Sequence, residues 1–256
     1  LQLQAEGVVF TWKDEKSGSY RSFQKERIEN IQKKLSGKKL QIIKADTKVK
    51  KQGAPQLYDL TQLQREANQK FGFSAKETLN IMQRLYENHK VLTYPRTDSR
   101  YLTADVMGTI KERLQAINAG VYREFAAPLL RRELPKKPAF VNDAKVSDHH
   151  AIIPTEQAPN YIHMSNEERK IYDMVVRRFL AVMYPAYEYE ESVLAAEVAG
   201  EHFYARGTRP LHMGWKAIYE NQSEDEEEEE LKRQNLPVMQ KGQEFSISDI
   251  RLTEGK

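Results

Sequence analysis

The spacing of apolar residues changes period twice along this chain, and that change limits the folds open to it. From residue 7 to 57, and again after Pro185, apolar positions recur every second residue, as on a half-buried strand. Between 58 and 184 they recur every three or four, as on an amphipathic helix. Strands that bracket a helical stretch imply an α+β chain whose two flanks pair into one sheet around a helical insert. The divisions fall at 1–57, 58–184 and 185–256, the outer two being β-rich.

Within the first flank, Val8, Phe10 and Trp12 alternate, Lys16-Ser17-Gly18-Ser19 offers a turn, and residues 20–23 return as a second strand. A helix is predicted over 24–35, with Phe23, Arg27, Ile28, Ile31 and Leu35 in its stripe and Gly37 as a C-cap, followed by a strand over 40–45. In the middle stretch, one helix over 61–71 ends at Gly72, and a second opens at the capping box Ser74-Ala75-Lys76-Glu77, with Leu79, Met82, Leu85 and Tyr86 as its apolar face. This helix pair, followed by the strand-like 91–94, has a winged-helix-like layout, although any hairpin of two helices shares it. Further helices are expected over 104–119 and 166–183, the latter behind a second capping box at Ser165-Asn166-Glu167-Glu168. The closing flank reads as strands over 189–198, 202–206, 215–219 and 244–252.

Composition narrows the chemistry. The absence of cysteine excludes disulfide frameworks, thiolate zinc sites, iron–sulfur clusters and thiol nucleophiles. No apolar run approaches the roughly 18 residues of a membrane span, so a soluble, cytoplasmic protein with no membrane partner is expected. The chain opens at Leu1 with no signal-peptide pattern and reads as an excised segment. Of 37 acidic residues, seven lie consecutively at 224–230, a run that reads as a solvated loop; the remaining 30 face 40 basic residues. Lys33 to Lys51 holds eight lysines against the single acid Asp46, which suits either a polyanionic partner or a solvated face.

The P-loop, the dinucleotide glycine pattern, the His-Glu-x-x-His zinc motif and the serine elbow are all missing. Two segments set polar, reactive groups between apolar anchors: Leu92-Thr93-Tyr94-Pro95-Arg96-Thr97-Asp98-Ser99-Arg100-Tyr101 and Ser147-Asp148-His149-His150-Ala151-Ile152-Ile153-Pro154-Thr155. Pro95 biases Tyr94 to extended backbone, so residues 94, 96 and 98 share a face. A phenol is about one part in a thousand ionised at neutral pH, so a tyrosine nucleophile needs a cation nearby. Arg96 is a candidate for that cation and for a grip on phosphate, with Asp98 orienting the guanidinium. The structural reading of the same residues is a strand end with a buried tyrosine and a surface Arg–Asp pair. Adjacent histidines point in different directions and no third ligand follows at metal spacing, so His149 and His150 fit a phosphate contact, a proton carrier or a structural role better than a metal site.

Taken together, these two segments and Leu60-Thr61-Gln62-Leu63-Gln64-Arg65-Glu66-Ala67 resemble the type IA DNA topoisomerases, on their topoisomerase III branch. The resemblance implies an isomerase that cuts one DNA strand through a transient 5′-phosphotyrosine, allows strand passage and religates. It implies Tyr94 as the nucleophile, Arg96 as the group assisting at the phosphate, and His149 as a support for binding and cleavage. Arg96, Thr97, Ser99, Arg100, His149 and His150 would contact DNA, single-stranded at the cut. The family uses Mg²⁺ held by a Glu and an Asp-x-Asp set on an N-terminal domain. Neither that domain nor any metal-binding set is found in this chain, so Mg²⁺ is expected only for the full-length enzyme. What remains resembles the helical tyrosine-bearing domain and the two segments of a β-rich arch, monomeric and with a helicase as a candidate partner. Such a piece alone is expected not to relax supercoils. The alternative is a non-catalytic winged-helix nucleic-acid-binding module in which Tyr94 is structural.

Overall fold

The computed structural model describes residues 1–20, 22–135, 138–222, 234 and 236–253, with side chains left out at 220–222. The acidic run at 224–230 lies outside the described residues. The chain folds into two compact units. One comprises Leu1–Lys51, Glu188–His212 and the described residues of Ser223–Lys256, the other Gln52–Tyr187 and Met213–Gln222.

The first unit is a seven-stranded sheet. Its strands are β1 (Gln2–Ala5), β2 (Val8–Trp12), β3 (Lys39–Gln52), β4 (Tyr187–Val198), β5 (Glu201–His212), β6 (Glu244–Ser246) and β7 (Asp249–Arg251), in the order β6-β3-β4-β5-β2-β1-β7. The two flanks of the sequence therefore do pair into one sheet: β2 lies antiparallel to β5, β1 to β7, and β3 to β6. Two tight hairpins set the register. Ala5 pairs with Val8 around Glu6-Gly7, and Val198 with Glu201 around Ala199-Gly200. All four turn residues have φ between 50° and 80°, as a two-residue turn matched to strand twist requires.

The first hairpin thus turns at Glu6-Gly7, not at 16–19, and the described residues 20, 22 and 23 form no strand. Leu3 and Ala5 alternate in phase with Val8, Phe10 and Trp12, so the preceding residues complete the buried face at the shortest loop. The sheet closes over α1 (Lys25–Leu35), whose Ile28, Ile31 and Leu35 pack with Phe10, Trp12, Leu40, Ile42, Leu194 and Phe203. Only Leu40 and Ile42 of β3 are buried; the rest of the strand is half or fully exposed, which its lysines tolerate.

In the second unit, α2 (Leu60–Phe71), α3 (Ala75–Glu87), α4 (Ile110–Ala116), α5 (Arg123–Leu130) and α6 (Asn166–Ala181) surround Leu63, Ile81, Leu85, Leu114, Ile171, Val175 and Phe179, all at most 2% exposed. Local chemistry sets the helix ends. Asp59 caps α2 by accepting from the Gln62 N–H at 2.6 Å, Gly72 terminates it at φ 71°, and both expected capping boxes form at Ser74 and Ser165. The helix expected over 104–119 divides into a 3₁₀ stretch, Asp105–Thr109, and the seven-residue α4. Helix α5 carries Pro128 inside, which hid it from a reading of helix signals.

The strand expected over 215–219 is a 3₁₀ helix, Gly214–Gln222, and belongs with this helical unit. Gly214 sits at φ 50° with the Ala186 carbonyl oxygen 2.4 Å from where a Cβ would stand, and Trp215 donates its backbone N–H to Pro185 and its indole N–H to Gln52. Segment 91–94 is extended but forms only an isolated bridge, Leu92 to Pro154.

Candidate active site around Tyr94

The apolar anchors of the two motifs explain how their polar residues meet. Val91, Leu92, Ala151, Ile152 and Ile153 are all buried at 1% exposure or less, and they lay the two segments side by side. The Thr93 N–H donates to the Ile153 carbonyl at 3.0 Å, the Ile153 N–H to Thr93 Oγ1 at 3.0 Å, and the Ala151 N–H to the Tyr101 carbonyl at 2.9 Å. Beyond Tyr94 burial alternates: Pro95, Thr97 and Ser99 point inward, Arg96 and Asp98 outward. Extended backbone beside a proline produces that alternation.

Tyr94 is half-buried. Its ring centroid lies 4.3 Å from the exposed His149 imidazole and 5.5 Å from the Tyr86 ring, which meets it edge-on at 82°. No described residue hydrogen-bonds its hydroxyl, and none pairs with the exposed guanidinium of Arg96. Asp98 does not orient Arg96 as expected; it accepts from Ser147 Oγ at 3.5 Å. A free phenol and a cation without a carboxylate are together suited to an incoming anion.

The other expected contacts have different surroundings. Thr97 and Ser99 are 8% and 4% exposed, and their hydroxyls point inward. Thr97 Oγ1 donates to the His149 carbonyl at 2.8 Å and accepts from the Ser99 N–H at 3.1 Å, while Ser99 Oγ donates to the Lys145 carbonyl at 2.9 Å. They position their neighbours. Arg100 is neutralised by Asp59 at 2.6 Å, the same carboxylate that caps α2. His150 is half-buried with Nδ1 2.7 Å from the Ala151 carbonyl. Burial lowers its pKa, and the Arg113 and His149 charges act the same way against the Ala151 and Asp105 contacts, which favours its neutral form.

Several contributors escaped the sequence reading. Tyr86, assigned to the apolar face of α3, is 37% exposed at its rim, and only the fold brings it to Tyr94. Asp59 was legible as the residue before a helix with Gln62 three positions on. Beneath the motifs lies a buried ion pair: Arg178 of α6 reaches both oxygens of Glu66 at 2.8 and 2.7 Å, the Tyr58 hydroxyl at 2.9 Å and the Gln56 carbonyl at 2.9 Å, with its guanidinium 4.0 Å from the Tyr58 ring centroid. The Tyr58 carbonyl in turn accepts from the Ile152 N–H, so this network anchors the second motif. Burial pushes the Glu66 carboxyl up, but Arg178, the Tyr58 hydroxyl and Gln62 outweigh it and hold the group below its ordinary value. Among the described residues no three His, Asp or Glu side chains form a metal-binding group. A surface groove beside α1, lined by Lys25, Arg27, Lys34 and Glu201 among others, carries none of the motif residues.

A family model described as DNA topoisomerase matches residues 1–256. A DNA topoisomerase 3 of Bacillus cereus is 52% identical over 252 residues, covering 98% of this chain and 34% of that protein. One from Bacillus subtilis is 44% identical over 256 residues, covering 100% of this chain and 35% of that protein. The chain thus spans about a third of the length of the curated relatives it matches. The solved structure of full-length topoisomerase I from Thermotoga maritima shares the fold, with a TM-score of 0.67 at 21% identity over 96% of this chain and 38% of that one.

Proposed function

This chain belongs to the DNA topoisomerase family, on its type IA topoisomerase III branch, and from that premise we propose that it carries the strand-cutting tyrosine of the intact enzyme. The Tyr94 oxygen attacks a backbone phosphorus of single-stranded DNA. The O–P bond to Tyr94 forms as the bond to the 3′ oxygen breaks, the phenolic proton passes to water, and the departing 3′ oxygen takes up a proton. One phosphodiester replaces another, so the bond energy is conserved and the 3′ hydroxyl reverses the step after strand passage. Relaxation on this scheme needs no ATP, which accords with a sequence lacking a P-loop.

Arg96 grips the phosphate oxygens and favours the phenolate, the form that attacks. His149, against the Tyr94 ring, supports the bound strand. The pair α2–α3 serves as the winged-helix-like part that presents the strand to the tyrosine. The described residues offer no Mg²⁺ set, and no step here runs through the metal; in this reading its ligands lie in a part of the enzyme outside this segment, and the segment alone binds DNA weakly without relaxing it. The enzyme acts as a cytoplasmic monomer, with a helicase as a candidate partner.

The observation carrying this reading is the half-exposed Tyr94 phenol, bonded to no described residue, beside His149 and followed by an Arg96 that pairs with no described carboxylate. In a protein of the relatives' full length, Tyr94→Phe should abolish the 5′-linked DNA adduct and leave non-covalent binding within about twofold, since one hydroxyl contributes little to a charge-dominated interface. An adduct that persists in the variant overturns the assignment. An unmodified protein that binds DNA but forms no adduct favours the non-catalytic module instead.

A further inference from the structure

We propose that Lys145, Tyr101 and Gln56 form a second subsite for a backbone phosphate of the same single-stranded DNA, one that holds the strand in register with Tyr94. The proposal rests on the reading of Tyr94 as the strand-exchange centre. The Tyr101 hydroxyl oxygen accepts from Gln56 Nε2 at 2.6 Å and from Lys145 Nζ at 3.2 Å, and both bonds are solvent-exposed. A phenol offers two acceptor positions and one hydrogen. With both acceptor positions filled, what Tyr101 has left is its hydrogen to donate.

The Lys145 ammonium stands 4.7 Å from the Tyr101 ring centroid, and no described carboxylate pairs with it. Two of its three N–H groups are unused by Tyr101. The cluster thus presents several donors and a full positive charge, with the Gln56 amide oxygen as its one remaining acceptor, which is the chemistry of an anion site, and a lysine serves phosphate there as a point charge. Arg100, in the same segment, is by contrast already neutralised by Asp59.

The cluster is held by the bonds that hold the Tyr94 centre. Ser99 Oγ donates to the Lys145 carbonyl, the Ser99 N–H donates to Thr97 Oγ1, and that hydroxyl fixes His149. The Lys145 N–H donates to the Asn142 carbonyl, and the Tyr101 carbonyl accepts from Ala151. A phosphate at Lys145 and one at Tyr94 would therefore be set a fixed distance apart by two buried hydroxyls. The groups lie open to solvent and not in a closed cavity, so the ligand is a phosphate delivered by an already bound strand.

The test uses full-length protein carrying Tyr94→Phe, so that binding is read without cleavage, with a labelled single-stranded oligonucleotide titrated across salt. Adding Lys145→Gln should weaken binding roughly fivefold near 0.1 M salt, equally for different sequences, and reduce the slope of log affinity against log salt by about 0.7, as loss of one phosphate contact on a single strand requires. Lys145→Arg should restore the slope. Tyr101→Phe should weaken binding about threefold with the slope unchanged, because it removes a donor and no charge. A Lys145→Gln protein with unaltered affinity and slope overturns the subsite, and if the Tyr94 adduct still forms in the parent, it overturns the subsite alone. A Lys145-dependent slope in a protein that forms no adduct supports the subsite and overturns the enzyme reading.

Discussion

Two stretches of the molecule concentrate positive charge and use it in opposite ways. On β3, Lys39, Lys44, Lys50 and Lys51 each meet a carboxylate of the same unit: Glu244 at 3.6 Å, Asp46 at 2.7 Å, Glu191 at 2.6 Å and Glu188 at 2.7 Å. Around Tyr94, Arg96 and Lys145 meet none among the described residues. All the lysines of the strand but Lys48 pair with a carboxylate, whereas neither Arg96 nor Lys145 pairs with a described one. A count of lysines therefore does not by itself locate an anion site, because the field a ligand meets depends on which charges the fold has already compensated. Arg178 is a third case, a cation buried and fully bonded, whose work is to hold structure.

These three situations predict effects of different kind and size. The largest belongs to Arg178: its replacement by Ala leaves the half-buried Glu66 and the buried Tyr58 without their partner and should cost about 3 kcal/mol in urea unfolding. A cost below about 1 kcal/mol would show that the buried pair does not underpin the second motif. Arg96→Ala should slow adduct formation on the order of 10²–10³-fold in a single-turnover assay, the scale of losing a donor to a charged transition state. Its melting temperature should stay unchanged, since Arg96 has no partner among the described residues to lose; a large drop in melting temperature would return it to a structural role.

Asp59→Ala removes the cap of α2 and the partner of Arg100 together, and should destabilise by about 1–2 kcal/mol. Smaller again is the acid response of Glu66. Its folded pKa lies below the ordinary 4.5, so its contribution is complete above that value and is lost as pH falls through the lower folded one. In Arg178→Ala, where only the Tyr58 hydroxyl and Gln62 still oppose burial, the Glu66 pKa should rise and the loss of stability with acid should shrink; unfolding midpoints between about pH 3 and 6 read the difference. The smallest effect is on β3: Lys50→Gln with Lys51→Gln should leave the salt slope of DNA binding unchanged, and a slope reduced by more than about 0.7 would place that strand on the nucleic acid after all.

Much of this was legible from residues alone because it is written in short-range chemistry. Both capping boxes, the Gly72 stop and the helices they delimit depend on contacts three or four residues apart, and they stand where the pattern put them. The first hairpin was misplaced because Lys16-Ser17-Gly18-Ser19 and Glu6-Gly7 both offer turns, and the choice lay with Leu3 and Ala5 completing a buried face. The 3₁₀ helix at Gly214–Gln222 was read as a strand because its apolar spacing is short and ambiguous, and the backbone of residues 185–186 decided it. In the site, Tyr94, Arg96 and His149 stood out by residue type, whereas Tyr86, Asp59, Lys145 and Arg178 join through contacts across the fold.

By itself, then, the sequence determined the periodicities, the caps, the family and the presence of a tyrosine, a guanidinium and a histidine in two anchored segments. Only the tertiary structure decided which of those groups face solvent, which hydroxyls turn inward, and which cations arrive without a carboxylate. The reason is range: a helix cap is settled within one turn of chain, while the compensation of a charge depends on whatever distant residue the packing brings within about 4 Å.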